Sequence, residues 1–265
     1  MPKVSVIMGI YNSNNEEMVK SAIDSILNQT FKDFEFIICD DGSTDGTYEL
    51  VKRLTKHDDR VILIQNEKNS GLAYSLNHCL SIAKGEYIAR MDADDISLPE
   101  RLEEEVAFLD NNKEFAIVGC NVKFFNSNGI WGKRCLPEFP EKASFLFTSP
   151  FVHPSILIRA EVMTVLCGYR VEKETLRAED YDLFMRMYSK GYKGYNLQAE
   201  LYCFREDENA YKRRAYKYRL DEAKVRYKGF KSLGLMPRAI PYVIKPLIVG
   251  LLPQKFLSVL RNKKI

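Results

Sequence analysis

The chain has 265 residues, 46% of them hydrophobic and 12% aromatic, which is enough to bury a full core in one large domain and excludes a disordered chain. Its net charge of +3 hides a division: residues 210–265 carry 15 Lys/Arg against 2 Asp/Glu, so this tail holds +13, the remainder holds −10, and the tail points to an anionic partner. Cys39, Cys79, Cys120, Cys135, Cys167 and Cys203 are scattered without a CxxC pair or a Cys/His cluster, which argues against a zinc or disulfide framework and reads as buried thiols in a reducing compartment.

Met1-Pro2-Lys3 runs directly into the apolar Val4–Met8, with no room for the charged and apolar regions of a leader, so a cytoplasmic location is expected. Short β-branched runs then alternate with helical patterns. Val4–Met8 is followed by Met18/Ala22/Ile26 at helical spacing, Phe34–Cys39 by Tyr48/Val51/Leu54, and Val61–Gln65 by Leu72/Leu76/Cys79 after Gly71. Lys84-Gly85 reads as the basic last turn and glycine stop of that helix, before a strand at Tyr87–Met91 that runs into Asp92-Ala93-Asp94-Asp95. Ser97-Leu98-Pro99-Glu100 reads as a capping box opening the next helix, with Leu102, Val106 and Leu109 inward. Farther on, extended runs near Ile117–Phe125 and Ser155–Ile158 precede a helix at Tyr181–Tyr188. The expected class is α/β, a mostly parallel sheet flanked by helices. Ligands of such sheets bind beyond the carboxyl ends of the strands, where Gly9–Asn12, Asp40–Gly46 and Asp92–Asp95 fall.

Asp92 and Asp94, two residues apart at a strand end, point to the same side and can share a hard divalent cation, with the rest of its shell left to water and phosphate oxygens. Mn²⁺ or Mg²⁺ suits such a donor set. Taken alone, an Asp-x-Asp is more often an ordinary loop, and the stretch Asp40–Gly46 has the turn chemistry of any α/β protein. Its carboxylates could instead accept a hydrogen bond from a base N–H. Glu179 and Asp180, ahead of the Tyr181–Tyr188 helix, stand either where a carboxylate could take a proton from a hydroxyl or simply as an acidic helix start. His153, followed by Pro154, reads first as structural. Arg90 and Arg205 could hold paired oxygens or serve as surface ion-pair partners. Gly9-Ile10-Tyr11-Asn12 is neither a GxGxxG nor a Walker loop, which removes the main support for a dehydrogenase or an NTPase.

In order and spacing, Val4–Asn12, Gln29-Thr30, Asp40–Asp45, Gly85–Ile88, Asp92–Asp95, Pro99-Glu100-Arg101 and Glu179-Asp180 resemble glycosyltransferase family 2 over roughly residues 1–205. Arg90-Met91-Asp92, Gly132-Lys133-Arg134, His153-Pro154-Ser155 and Glu179-Asp180-Tyr181 look like its bacterial exopolysaccharide and amylovoran-type branch. The resemblance implies a GT-A (Rossmann-like) fold and an inverting, single-displacement transfer from a nucleotide-sugar, by family habit a UDP-sugar, to a glycan or polyprenyl-pyrophosphate-linked acceptor. It further implies nucleotide contacts from Gly9, Tyr11, Asn12, Asp40, Asp41, Gly71 and Asp92, a metal on Asp94 and Asp92, and Asp180 as base with Glu179 as helper or acceptor ligand. Arg90, His153 and Arg205 become donor or acceptor contacts on the same template. Many relatives carry Pro-x-Tyr-Asn where this chain has Gly9-Ile10-Tyr11-Asn12, which leaves that backbone less restrained.

These assignments divide the chain into a transferase domain at 1–209, with a nucleotide half at 1–110 and an acceptor half at 111–209, and a basic helical tail at 210–265. The tail has no apolar stretch of the roughly 20 residues that spanning requires. Its apolar segments, flanked by Lys212-Arg213-Arg214, Arg238, Lys245, Lys255 and Arg261/Lys263/Lys264, fit either an element lying on the anionic inner face of the cell membrane or a basic surface folded back on the acidic domain. Tyr211, Tyr216, Tyr218 and Tyr227 interleave with the bases, yet no nucleic-acid module precedes them and no nucleic-acid partner is expected. Two other readings are weaker. A sugar-nucleotide pyrophosphorylase should show a glycine-rich phosphate loop, and a glycosidase needs neither metal nor nucleotide loops. A nucleotide-sugar-binding scaffold without catalysis is the remaining alternative.

Overall fold

The apolar runs at the start of the chain become parallel strands because each is followed by an amphipathic helix that returns over the sheet. The elements are β1 (Val4–Ile10), α1 (Glu16–Leu27), β2 (Phe34–Asp40), α2 (Thr47–Thr55), β3 (Val61–Gln65), α3 (Leu72–Ile82) and β4 (Tyr87–Asp92). They continue as β5 (Ile96–Ser97), α4 (Arg101–Asn111), β6 (Phe115–Asn126), β7 (Gly129–Arg134), β8 (Leu157–Arg159), α5 (Ala160–Val165), α6 (Glu179–Ser189), β9 (Lys193–Arg205), α7 (Tyr216–Ser232) and α8 (Ile240–Leu251). The computed structural model describes residues 1–206 and 216–251. Tyr211, Lys212-Arg213-Arg214, Lys255 and Arg261/Lys263/Lys264 of the tail lie outside the described residues.

One nine-stranded sheet runs β3-β2-β1-β4-β8-β6-β9-β5, with β7 paired to β6. β1, β2, β3 and β4 are parallel, as the alternating pattern predicts. Beyond β4 the sheet is mixed: β8 runs antiparallel to β4 and β6, whereas β9 is parallel to β6. The sheet has helices on both faces. Val4, Val6 and Met8 point toward α1, α2 and α4, and the intervening Ile7 faces a second core built from α3, α5, α6 and α7.

Two local expectations are corrected. Gly85 has no left-handed φ; its missing side chain matters because a Cβ would come within 2.4 Å of the Ser5 backbone nitrogen, and α3 ends earlier, at Ile82. Ser97 is not a helix cap either, since β5 pairs antiparallel with β9 and α4 starts at Arg101. The donor end of α4 is satisfied from a distance: buried Gln29 accepts from Leu102 N (3.0 Å) and donates to Leu98 O (2.8 Å) and Ser97 Oγ (3.2 Å).

All six cysteines are free, but only Cys39, Cys79, Cys120 and Cys203 are buried; Cys135 follows the edge strand β7 and Cys167 sits in the turn after α5, both exposed. Within the tail, α7 packs on the second core through Val225, Phe230 and Leu233, and Arg226 reaches Leu146 O at 3.1 Å. Among the described residues no helix is long and apolar enough to cross a membrane.

Candidate active site

Parallel pairing brings the carboxyl ends of β1, β2 and β4 side by side, with Gly9 opposite both Cys39 and Asp92 and Ile10 opposite Asp40. The first two loops are then stitched together. Asn12, at φ 44°, donates from its backbone to Ser43 Oγ (2.9 Å) and accepts from Thr44 N (3.0 Å) through Oδ1. Tyr11 is left exposed on the rim beside them. Gly9 is small because α3 crosses it: a Cβ would meet Leu72 Cδ1 at 2.9 Å.

Asp40 and Asp41 are buried, at 0% and 3% exposure, and more engaged than carboxylates waiting for a base N–H. Asp41 accepts from Asn66 Nδ2 (2.8 Å), Ser70 N (2.9 Å) and Gly71 N (2.8 Å), which fastens the 66–71 loop and fixes Gly71 in a φ 91°, ψ 160° conformation at the head of α3. Asp40 Oδ1 accepts from Ser43 N and Gln65 Nε2, while its Oδ2 has no partner. Within the pair, Asp41 holds the loop and Asp40 keeps the unmatched acceptor. Replacing Asp41 by Ala strips three donors of a charged partner and is expected to cost about 2–4 kcal/mol of stability by chemical denaturation; a loss under about 0.5 kcal/mol would remove the loop-holding role.

The acidic loop is fixed by both neighbouring strands. Asp92 ends β4, and Asp95 Oδ1 accepts from Arg205 N of β9 at 2.7 Å, while Arg205 Nε donates to Asp94 O at 3.0 Å. Arg205 also lies over the Phe125 ring. It therefore braces the loop through the backbone. One carboxylate oxygen from each of Asp92, Asp94 and Asp95 falls within 4.8 Å of the others. Burial first and the Asp92 charge second push Asp94 up to about 6, and burial with both neighbouring acids pushes Asp95 well above the carboxylate range. Buried Asp95 Oδ2 finds no hydrogen-bond partner. Crowded acids with an orphaned oxygen, at a loop open to solvent on one side, fit a hard divalent cation that retains positions for phosphate oxygens.

A cleft of about 640 Å³ opens beside this loop, lined by Arg90 and Asp92 from β4, Arg134 from β7, His153, and Glu179 with Asp180 from the first turn of α6. The Arg90 guanidinium, 2% exposed, forms an ion pair with Asp92 from inside the cleft wall, so it is no surface partner. Arg101 supports it from behind, donating to Arg90 O (3.0 Å) and Ile156 O (3.3 Å) while paired with Glu105 in the core. His153 is hydrogen bonded through Nε2 to Tyr169 Oη (2.8 Å), and burial, then the Arg90 charge, holds it far below its ordinary value and hence neutral. Burial first and the Asp180 charge second raise Glu179 to about 7. Burial lowers Arg134, and the Asp180 charge works against that. Asp182, in the same acidic run, is committed to structure through Arg170 (2.9 Å) and Arg186 (2.7 Å).

Arg90, Asp92, His153, Glu179 and Asp180 thus share one cleft; Asp94 adjoins through the acid cluster, and Tyr11, Asn12, Asp40 and Gly71 sit on the neighbouring loops. Sequence reasoning missed Asp95 as a donor to the cluster, and it missed Arg134, Arg177 and Tyr169. Asp95 was signalled by adjacency to the Asp-x-Asp pair, and Arg134 by the Gly132-Lys133-Arg134 run.

The family model described as Glycosyl transferase family 2 matches residues 5–164. EpsE of Bacillus subtilis (strain 168) is 45% identical over 265 residues, covering 100% of this chain and 95% of that protein. The amylovoran biosynthesis glycosyltransferase AmsE of Erwinia amylovora is 27% identical over 98% of each. Among solved structures, the mannosyltransferase PcManGT from Pyrobaculum calidifontis in complex with GDP-Man and Mn²⁺ superposes with a TM-score of 0.64 at 19% identity, over 99% of this chain and 79% of that one, a likeness of GT-A fold. The whole-length match to EpsE and the family match over more than half of the chain agree with the expectation from the motifs: this chain belongs to glycosyltransferase family 2.

Proposed function

We propose that this family 2 transferase moves a hexose from a nucleotide-sugar, a UDP-sugar by family resemblance, to a hydroxyl of a glycan or polyprenyl-pyrophosphate-linked acceptor during synthesis of a bacterial surface polysaccharide. The observation that carries the reading is the cleft in which Arg90-paired Asp92, at the edge of the acid cluster, faces Asp180 and Glu179. A donor site and a proton acceptor so placed suit a single inverting displacement. The acceptor oxygen forms its bond to the anomeric carbon as the bond to the nucleoside diphosphate breaks, the electron pair leaves with the diphosphate, and the hydroxyl proton passes to Asp180.

Asp92, Asp94 and Asp95 would hold Mn²⁺ or Mg²⁺, whose chemistry is to neutralise the charge on the departing diphosphate. Arg90 is ion paired with Asp92, and neutral His153, hydrogen bonded to Tyr169, lines the cleft without adding charge. Tyr11, exposed on the rim, is the stacking surface for the base, and buried Asp40 and Asp41 shape its seat from within through Ser43 and Gly71. The scaffold alternative is disfavoured because the acid cluster and the base candidates share one cleft wall. Calorimetry of UDP-, GDP- and dTDP-sugars with and without Mn²⁺ tests the reading. Metal-linked binding of one donor class is expected, and binding of none would return the scaffold.

A further inference from the structure

We propose that α8 is a membrane-docking face that lies on an anionic phospholipid leaflet. This deepens the lipid-linked-acceptor reading and rests on it for its purpose, although the surface itself is a separate observation. Ile240, Ile244, Ile248 and Leu251 recur at helical spacing and are 45%, 42%, 57% and 73% exposed, an aliphatic stripe with nothing over it among the described residues. The opposite side of the same helix is engaged: Pro246 is buried, and Tyr242 and Val243 pack against the core. Its 12 residues span about 18 Å, short of a bilayer, so the stripe can only lie in the plane of the leaflet.

Charge selects the occupant. In sequence, residues 210–265 hold 15 Lys/Arg against 2 Asp/Glu; seven of these cations lie outside the described residues, Arg219, Lys224, Arg226 and Lys228 are ion paired, and exposed Arg238 stands just ahead of the stripe. Aliphatic side chains flanked by an excess of cations suit acyl chains beneath anionic headgroups. The packed side of α8 is seated on a segment that borders the cleft. The Tyr242 ring meets exposed Phe147 at 5.1 Å, and the next two residues, Thr148 and Ser149, line the cleft. From the other helix of the pair, the Tyr218 ring lies under Arg177, another cleft residue, at 5.1 Å.

The test is cosedimentation of the full chain with vesicles of phosphatidylcholine alone or with phosphatidylglycerol, comparing wild type with the double variant Ile244→Glu/Ile248→Glu. The wild type is expected to partition onto the phosphatidylglycerol vesicles and to release with added salt. The variant should lose partition by about tenfold or more, since two aliphatic side chains no longer leave water. Both positions are solvent-exposed, so thermal midpoint and nucleotide-sugar binding should stay as in the wild type; intact donor binding separates a failure of docking from a failure of the transferase reading. Equal partition of the two proteins would overturn the proposal. So would a wild type that ignores vesicles but sediments as a dimer the variant dissolves, which would assign the stripe to a second copy of the chain.

Discussion

Replacing Asp180 by Asn is expected to lower the transfer rate by about 10²–10⁴-fold while donor affinity stays at the wild-type level, because proton removal contributes only as the acceptor oxygen attacks. Asn has the shape of Asp and keeps the cleft wall intact, so the loss would report the proton and not the packing. Glu179, raised to about 7 by burial and then by the Asp180 charge, is ionised part of the time at neutral pH, so a residual rate in the variant that titrates with this carboxyl would report Glu179 as a second base. Removing the Asp180 charge should move Glu179 downward, which a carboxyl titration followed by NMR would detect. Single-turnover kinetics together with calorimetry decide the matter: lost donor binding, or an undiminished rate, contradicts the assignment of Asp180 as base.

Asp94→Ala should behave differently, lowering both the rate and the Mn²⁺-dependent part of donor affinity by roughly two orders of magnitude, since a lost metal ligand weakens the hold on the diphosphate in ground and transition states alike. The same change removes one of the charges that push Asp95 upward, so Asp95 should ionise more readily in the variant without metal. Donor titrations with and without Mn²⁺ measure the effect. An affinity for nucleotide-sugar that Mn²⁺ enhances as strongly as in the wild type would sink the metal role of Asp94. The two variants thus separate the two halves of the cleft, one acting on proton transfer and the other on the donor.

The parallel half of the fold was legible because its signals are local. Val4–Met8, Phe34–Cys39 and Val61–Gln65 are apolar runs bounded by amphipathic helices, and the structure extends or reproduces each of them as a strand. The reversal after β4 was not legible, because β8 is only three residues long and its direction is set by Ala89 and Val118 on either side. Ser97 misled for a related reason: four residues matched a cap, but the group that serves α4 is Gln29, on the preceding helix layer. At the site, Asp92, Glu179 and Asp180 could be picked out by residue type. Their buried supports could not, since Arg101 behind Arg90 and Tyr169 against His153 are contacts across the chain. In the tail, the charge drew notice to the Lys and Arg residues while Val225, Phe230 and Leu233 decided the packing of α7.

The link between β5 and β9 has a consequence for biosynthesis. Ile96 pairs with Cys203, and Arg205 supplies the N–H that Asp95 accepts, so the acid loop is completed by residues made more than a hundred positions later. A ribosome that has released residues 1–110 has released an acid loop that lacks its clamp, and a nascent chain should hold Asp92, Asp94 and Asp95 together only after β9 has emerged.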